Sequence, residues 1–198
     1  GSGLGNFSAS LTNLLSDTIY HFRAYATNSK GTSYGYELYF RTYRLYTIGQ
    51  NFAGGTIFYL DASTQHGLIV SPPLTTSTWF NAWGCTTLVP NADGTAIGTG
   101  TGNTNQAATY CGLPFNYTLT AACYNLDLNG YTDWYIPSKD ELNELYLHRN
   151  IIGGYENNYY WSSSQTDAFS AWGQNFANGT QLIHGKSDYS WGRPIRKF

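Results

Sequence analysis

Aromatic, amide and imidazole side chains are concentrated in the C-terminal segment of the chain, from residue 157 onward. Tyrosine and tryptophan offer a large contact area at low entropic cost, and amide groups adapt their hydrogen bonds to a partner, so this mixture is typical of binding surfaces. The predicted ligand-binding residues are Tyr159, Gln174, Asn175, His184, Asp188, Tyr189 and Trp191. The alternative interpretation is an ordinary polar surface around tight turns.

A second segment contains groups that could bind a metal ion. Asn91 and Asp93 precede Gly94 and a run of Thr and Gly residues. Calcium needs six to eight oxygen ligands, and this segment supplies only one carboxylate. The sequence therefore predicts no cofactor, with calcium at Asn91 and Asp93 as the alternative.

The side chains that could act as acid or base catalysts have simpler structural interpretations. Asp133 follows a Gly turn, where Asp usually accepts hydrogen bonds from nearby backbone amides. Ser138 and Glu141 have the spacing of a helix capping box. The chain also has no Gly-x-Ser-x-Gly motif and no His near a Ser or Cys in a triad-like arrangement. These observations predict that the protein is not an enzyme.

The composition excludes two classes of partner. The formal net charge is −2, and residues 45–138 contain no Lys or Arg, so this stretch cannot form a surface that follows a phosphate backbone. No apolar run approaches the roughly 18 residues of a membrane span. Aromatic residues make up 17% of the chain, which is unlike a disordered protein. We expect a folded, β-rich protein that binds neither nucleic acid nor the membrane interior.

Three cysteines bear on the cellular compartment. Cys85, Cys111 and Cys123 are compatible with one disulfide and one free thiol, or with three buried thiols. A neutral surface rich in aromatic, Gly, Asn and Thr residues favours an extracytoplasmic location, where disulfides persist. Cys85 and Cys111 bracket a long segment with few structural signals, and a disulfide closing such a loop would add roughly 3 kcal/mol to the free energy of unfolding.

The first 44 residues have the pattern of β-strands and turns. Residues 18–27 alternate in the manner of a strand, residues 28–31 form a turn, and residues 34–41 form a second strand. Two strands joined by a turn are marginally stable alone in water, so this segment needs a partner sheet.

The remainder of the chain mixes strands and helices. Residues 54–61 and 66–71 predict a buried hairpin, and about fifty residues with few structural signals follow, including a Gly/Asn/Thr-rich loop over residues 91–105. Leu119, Ala122, Cys123 and Leu126 have helical spacing, with Thr118 as the N-cap. A second helix begins at the Ser138 capping box, and Asn178-Gly179 predicts a hairpin in a β-rich tail.

One resemblance covers the N-terminal segment. Its residues are Leu14, Tyr20, Arg23-Ala24, Ala26, Asn28 and Gly31. This pattern resembles the C-terminal half of a fibronectin type III domain, whose β-sandwich contains a tyrosine corner. The resemblance implies that residues 1–44 comprise the last strands of such an all-β sandwich and a short linker.

A second resemblance covers residues 48–198 and rests on an ordered set of motifs. The motifs are Gly130-Tyr131, Asp133-Trp134, Ile136-Pro137-Ser138, Glu141-Leu142, Tyr160-Trp161-Ser162-Ser163, Trp172, Phe176, Gly179 and Arg193-Pro194-Ile195-Arg196. They resemble the C-terminal domain family of the Legionella collagen-like protein and the related Fibrobacter succinogenes major paralogous domains. The resemblance implies that residues 45–198 form an α+β, C-type-lectin-like domain with two helices packed on twisted antiparallel sheets.

This resemblance also bears on the cysteines, and the residues themselves bear on the C-terminal cations. The family often has a Cys at the position of Pro194, where it pairs with the helix Cys, so Cys123 lacks that partner here. We therefore expect a Cys85–Cys111 disulfide with Cys123 buried and reduced, in preference to Cys111–Cys123. Arg193 and Arg196 are expected on one strand face, paired with Asp133 or Glu141.

Members of this family lie at the ends of bacterial surface and secreted proteins and serve adhesion and ligand binding. The resemblance thus implies an extracellular or cell-surface module that recognises a glycan or a surface protein. The alternative is a structural or sorting module that forms a homo-oligomer or docks to a secretion or anchoring apparatus.

Overall fold

The computed structural model describes residues 5–74, 77–112 and 118–198. The chain divides into two compact units, one that ends at Tyr46 and one that spans Thr47–Phe198. This division lies two residues beyond the boundary predicted between residues 44 and 45. The described residues contain four α-helices and thirteen strands, so the chain is α+β.

The first unit consists of two antiparallel strand pairs. Strand β1 (Ile19–Phe22) pairs with β4 (Leu38–Arg41), and β2 (Tyr25–Asn28) pairs with β3 (Gly31–Tyr34). The predicted strands over residues 18–27 and 34–41 are thus each interrupted.

Most side chains of the first unit are exposed, because two-stranded pairs have too little surface to bury them. An ordered contact nevertheless lies at the predicted tyrosine corner, where the Tyr20 hydroxyl accepts a hydrogen bond from the backbone N–H of Leu15 at 2.7 Å. The exposed apolar and aromatic residues of the four strands include Ile19, Phe22, Tyr25, Tyr34, Leu38 and Tyr39.

The second unit begins and ends in the same sheet. Strands β5 (Asn51–Phe52), β6 (Gly55–Leu60) and β7 (Gly67–Val70) form an antiparallel meander. The last strand, β13 (Ile195–Lys197), pairs with β7 and completes the order β13-β7-β6-β5. The predicted hairpin is therefore present, and the C-terminal segment closes onto its outer edge.

A five-stranded sheet holds most of the tail. It contains β8 (Phe80–Asn81), β9 (Tyr159–Gln165), β10 (Ser170–Asn175), β11 (Gln181–Gly185) and β12 (Ser190–Trp191) in the order β11-β10-β9-β12-β8. The hairpin predicted at Asn178-Gly179 joins β10 to β11. All pairs are antiparallel except β12 with β9. Strand β12 lies beside the central strand β9, and β8 pairs with β12 at the edge of the sheet.

The loop predicted over residues 91–105 is wrong in its second half, because helix α1 (Gly100–Cys111) begins there. The sequence of α1 has no apolar stripe from which a helix could be predicted. Hydrogen bonds to the rest of the fold hold it instead: the Asn103 amide donates to the Gly94 carbonyl at 2.6 Å, and the buried Thr104 hydroxyl accepts from the Ile136 N–H at 3.1 Å.

The two predicted helices are confirmed with shorter bounds. Helix α2 (Leu119–Tyr124) is capped by Thr118, whose hydroxyl accepts from the Ala121 N–H, and it ends before Leu126. Helix α3 (Lys139–Leu147) has the predicted Ser138 capping box, and the short helix α4 (Arg149–Ile152) follows it. No helix in the described part of the chain is long and apolar enough to cross a membrane.

Helix α3 packs on both sheets and forms the centre of the second unit. One buried cluster comprises Phe58, Leu68, Val70, Tyr135, Leu142, Leu145, Tyr160, Phe176 and Ile195. Glu141 lies beside this cluster and accepts hydrogen bonds from the Ser138 and Gly98 N–H groups at 2.7 and 2.8 Å. Burial raises the pKa of Glu141, although these donors oppose the shift.

The two C-terminal arginines have different partners. Arg196 binds both carboxylate oxygens of Asp133, at 2.7 and 2.9 Å, as predicted. The pairing predicted for Arg193 is wrong, because its guanidinium donates to the carbonyls of Ser71 and Gly154 at 2.9 and 2.8 Å. Arg193 precedes β13 and is three residues from Arg196, so the two side chains do not share a strand face.

The predicted Cys85–Cys111 disulfide is present, and Cys123 is free and buried. The bond ties the end of α1 to the segment that follows β8. Burial raises the pKa of the Cys123 thiol, which keeps it protonated.

We predict that breaking this disulfide lowers the free energy of unfolding of the second unit by roughly 3 kcal/mol, because the bond closes a long loop in the unfolded chain. All six Trp residues lie in this unit, so Trp fluorescence in a urea titration follows its unfolding. The double variant Cys85→Ser/Cys111→Ser should show the loss with and without reductant, whereas Cys123→Ala should keep the wild-type response to reductant. Equal stability of the oxidised and reduced wild type would contradict the prediction.

Candidate functional site

The five-stranded sheet carries the predicted ligand-binding residues, but on two different faces. Successive side chains of a strand point to opposite faces. Tyr160 on β9 packs in the core cluster beside α3, so its neighbours Tyr159 and Trp161 point away from α3. Trp191 is the register partner of Tyr160 and packs against the same cluster. Tyr159 and Trp191 therefore lie on opposite faces of the sheet.

On the face away from α3, His184 lies between two aromatic rings. Its ring centroid is 4.5 Å from that of Tyr159 and 5.8 Å from that of Trp161, both in edge-on contacts. The half-buried His184 ring also faces Gly173, where a Cβ atom would stand 3.1 Å from the imidazole. The side chain is thus closely packed, and only part of it can reach a ligand.

Two predicted ligand-binding residues form hydrogen bonds within the fold. Gln174 is fully buried, and its amide donates to the Asn143 side chain at 2.9 Å and to the Gly179 carbonyl at 3.1 Å. The Asn175 side chain accepts from the Ala177 N–H at 2.8 Å and shapes the turn after β10. The side chains of Gln174 and Asn175 therefore stabilise the sheet and the turn after β10.

Three aromatic rings at the β8 edge form a continuous group that we call the aromatic platform, made of Phe80, Tyr189 and Trp191. The Phe80 ring centroid is 5.3 Å from Trp191 and 6.1 Å from Tyr189. Tyr189 is 63% exposed and Phe80 is 38% exposed, while Trp191 is half-buried against the core. Phe80 is not among the residues predicted from the sequence, because its two-residue strand lies far from the C-terminal segment in the chain.

Asp188 precedes the platform in the turn between β11 and β12. One of its carboxylate oxygens accepts a hydrogen bond from the Gly185 N–H at 3.2 Å, and the side chain is exposed. This bond fixes the turn that presents Tyr189. The carboxylate thus has a defined orientation in the turn that directly precedes Tyr189, and it can still accept hydrogen bonds from outside.

A buried lysine holds the segment that follows β8. Lys186 is fully buried, and its ammonium donates to the Thr87 carbonyl at 2.9 Å and to the Gln165 side chain at 2.8 Å. The Gln165 amide also exchanges hydrogen bonds in both directions with the Val89 backbone. Burial lowers the pKa of Lys186 from its ordinary value of 10.5 to about 8. The Lys186 ammonium therefore stabilises the fold and points into the protein.

The segment proposed for calcium lies on the surface. Asn91 and Asp93 are both exposed, and the Asn91 backbone is left-handed at a φ of 58°. Within residues 5–74, 77–112 and 118–198, no three His, Cys, Asp or Glu side chains come together as a metal-binding group. A calcium site here would need ligands from backbone and amide oxygens.

A comparison with known protein families places this geometry in context. The family model described as the Lcl C-terminal domain matches residues 74–196, more than half of the chain. The match includes every strand of the five-stranded sheet, all four helices and most of β13. It confirms the family resemblance inferred from the ordered motifs. No curated protein matches the chain.

The buried Lys186 generates a prediction about pH. Because its pKa is lower in the folded than in the unfolded chain, the unfolded chain binds more protons between about pH 8 and 10.5. The free energy of unfolding should therefore gain a contribution that rises across this range and is flat below it. Urea titrations followed by Trp fluorescence at several pH values should show this rise in the wild type and its loss in Lys186→Met.

The matched control is Lys197→Met, which removes an exposed ammonium that donates to the Gly98 carbonyl. We expect this control to follow the wild-type pH profile. Parallel profiles for the wild type and Lys186→Met would contradict the prediction.

Proposed function

The chain belongs to the Lcl C-terminal domain family, a family of bacterial surface or secreted modules, and on this premise we propose that it is a non-enzymatic adhesion module. Its ligand is a glycan or a protein of a target surface. The module acts outside the cell, in keeping with its disulfide between Cys85 and Cys111.

The observation that carries this proposal is the aromatic platform of Phe80, Tyr189 and Trp191. Large aromatic side chains in a rigid, exposed setting are the usual anchors of binding surfaces, because they bury much area and lose little entropy. Trp191 is fixed by the core and Phe80 by the sheet, so the platform is ordered before a ligand arrives. Asp188 adds an acceptor for the hydroxyl or amide groups of that ligand.

The titratable groups with displaced pKa values support a binding role over catalysis. Glu141 caps helix α3, and Lys186 bonds to a carbonyl and an amide oxygen. Burial also raises the pKa of Tyr155 and lowers that of Arg193, whose guanidinium lies 4.7 Å from the Tyr155 ring centroid. Each of these groups is engaged in packing or in bonds to the fold, which is the structural use of such groups rather than the catalytic one.

We further propose that the second unit has a C-type-lectin-like fold and that the first is the C-terminal part of a fibronectin type III sandwich. The arrangement of helices α2 and α3 with two twisted sheets supports the first assignment. The hydrogen bond between the Tyr20 hydroxyl and the Leu15 N–H supports the second, because a tyrosine corner makes a bond of this kind.

We predict that Tyr189→Ala weakens binding to the ligand about tenfold or more, because it removes an exposed anchor from the platform. Glycan arrays and pull-downs of surface proteins first identify the ligand of the wild type, and titration then gives the Kd of each variant. The unfolding free energy should change by less than about 0.5 kcal/mol, as expected for a surface side chain. Tyr110→Ala removes a similarly exposed tyrosine from helix α1 and is the control.

The same experiments separate this proposal from a structural or sorting role. Equal binding by Tyr189→Ala and Tyr110→Ala would exclude the platform as the binding surface. If screens with the wild type find no ligand and deletion of the second unit abolishes surface display, the module serves oligomerisation or docking to a secretion apparatus instead.

A further inference from the structure

A cleft of about 360 Å³ lies on the second unit, away from the aromatic platform. It is formed by helix α1, the end of helix α2 and the segment that precedes Tyr135. Its volume is at the small end of the range in which proteins hold small molecules, about 300 to 1,000 Å³. The lining residues are Thr101, Asn105, Tyr124, Thr132, Asp133 and Trp134.

Asp133 is the charged group of the cleft, and Arg196 fixes it. The guanidinium binds both carboxylate oxygens, which is the most directional form of an ion pair. Arg196 is itself immobilised by a bond to the Ala53 carbonyl at 3.1 Å and by the Tyr131 ring 3.9 Å away. The Arg196 side chain is only 10% exposed, whereas that of Asp133 is 56% exposed. Each carboxylate oxygen thus retains an acceptor position that can face a ligand.

The opposite wall of the cleft supplies groups that donate as well as accept. Asn105 and Thr101 are four residues apart on helix α1 and share one face of it, but the Thr101 hydroxyl is buried, so Asn105 is the group of this helix that is open to a ligand. Tyr124 is 45% exposed at the end of helix α2, and Thr132 is exposed beside Asp133. The side chains of Asn105, Tyr124 and Thr132 form no hydrogen bond to another described residue, so they are available to a ligand.

The floor of the cleft is formed by Trp134, which is only 3% exposed, and it is rigid. The indole N–H of Trp134 donates to the Leu128 carbonyl at 3.2 Å, within the tight turn at Asn129 and Gly130. The Asn129 side chain in turn donates to the Gly54 carbonyl at 2.7 Å. The floor is therefore held by two separate parts of the fold, and a ligand meets a preorganised surface.

We propose that this cleft binds one neutral sugar residue. The exposed ring of Tyr124 offers an apolar face to the C–H surface of a sugar ring. The side chains of Asn105, Thr132 and Asp133 can form hydrogen bonds with the hydroxyls of the sugar. The Asp133 charge is already balanced by Arg196, so a cationic ligand gains little from it. None of the described residues that line the cleft is Lys or Arg, so an anionic ligand would lack a counter-charge among them. This site is separate from the platform and does not depend on the function proposed for it.

The test uses the full chain and a panel of methyl glycosides of glucose, galactose, mannose and N-acetylglucosamine, with glucuronic acid as the anionic comparison. Spectra of ¹⁵N-labelled protein follow the six Trp indole N–H signals during titration, and Trp134→Phe identifies the Trp134 signal. We expect at least one neutral glycoside to shift the Trp134 signal, and Tyr124→Ala to raise its Kd about tenfold. Asn105→Ala should also weaken binding, whereas Tyr110→Ala, on the same helix but outside the cleft, should not.

Several results would overturn the proposal. One is the absence of any shift of the Trp134 signal with all four neutral glycosides, and another is a shift caused by glucuronic acid alone. If Tyr189→Ala abolishes sugar binding and Tyr124→Ala does not, the sugar binds at the platform. If a ligand binds the platform but no neutral glycoside binds the cleft, the cleft proposal fails. If a neutral glycoside binds the cleft but no ligand binds the platform, the function proposed for the platform fails.

Discussion

The second unit depends on the hydrogen bonds of the buried polar side chains of β9. Ser162, Ser163, Ser164 and Gln165 are all buried, and a buried polar group without a partner is costly. Their partners come from distant parts of the chain, including the Trp172 and Gly94 carbonyls, the Lys139 N–H and the Val89 backbone. The hydrogen bonds of this one strand therefore position β10, the start of α3 and the loop after Cys85.

Elements with strong local signals could be predicted from the sequence, and elements held by tertiary hydrogen bonds could not. The Ser138 capping box and the Asn178-Gly179 turn are encoded by residues close in sequence, and both are present. Helix α1 has no apolar periodicity and is held by Asn103 and Thr104, whose partners lie elsewhere in the chain. The loop predicted there reflects the absence of a local signal rather than the absence of structure.

The candidate site shows the same limit. Tyr189 and Trp191 could be selected by residue type, and both rings contact Phe80. Residue type alone also selected Gln174, which is buried because its strand position faces α3. Phe80 could not be found, since only the pairing of β8 with β12 brings it to Trp191. Strand register therefore decides which candidates form a surface, and register is a property of the whole sheet.

The use of charge inside the second unit determines what its surfaces can bind. Lys186, Arg193 and Arg196 are nearly buried, and each donates to carbonyls or to a carboxylate, as buried cations must. Lys139 lies 4.0 Å from the Trp172 ring centroid. With these cations bound within the fold, the platform and the Asp133 cleft present aromatic area and hydrogen-bonding groups, among them the carboxylates of Asp188 and of the Arg196-paired Asp133. Recognition at either surface therefore depends on short-range contacts, which salt screens far less than it screens long-range attraction between exposed charges.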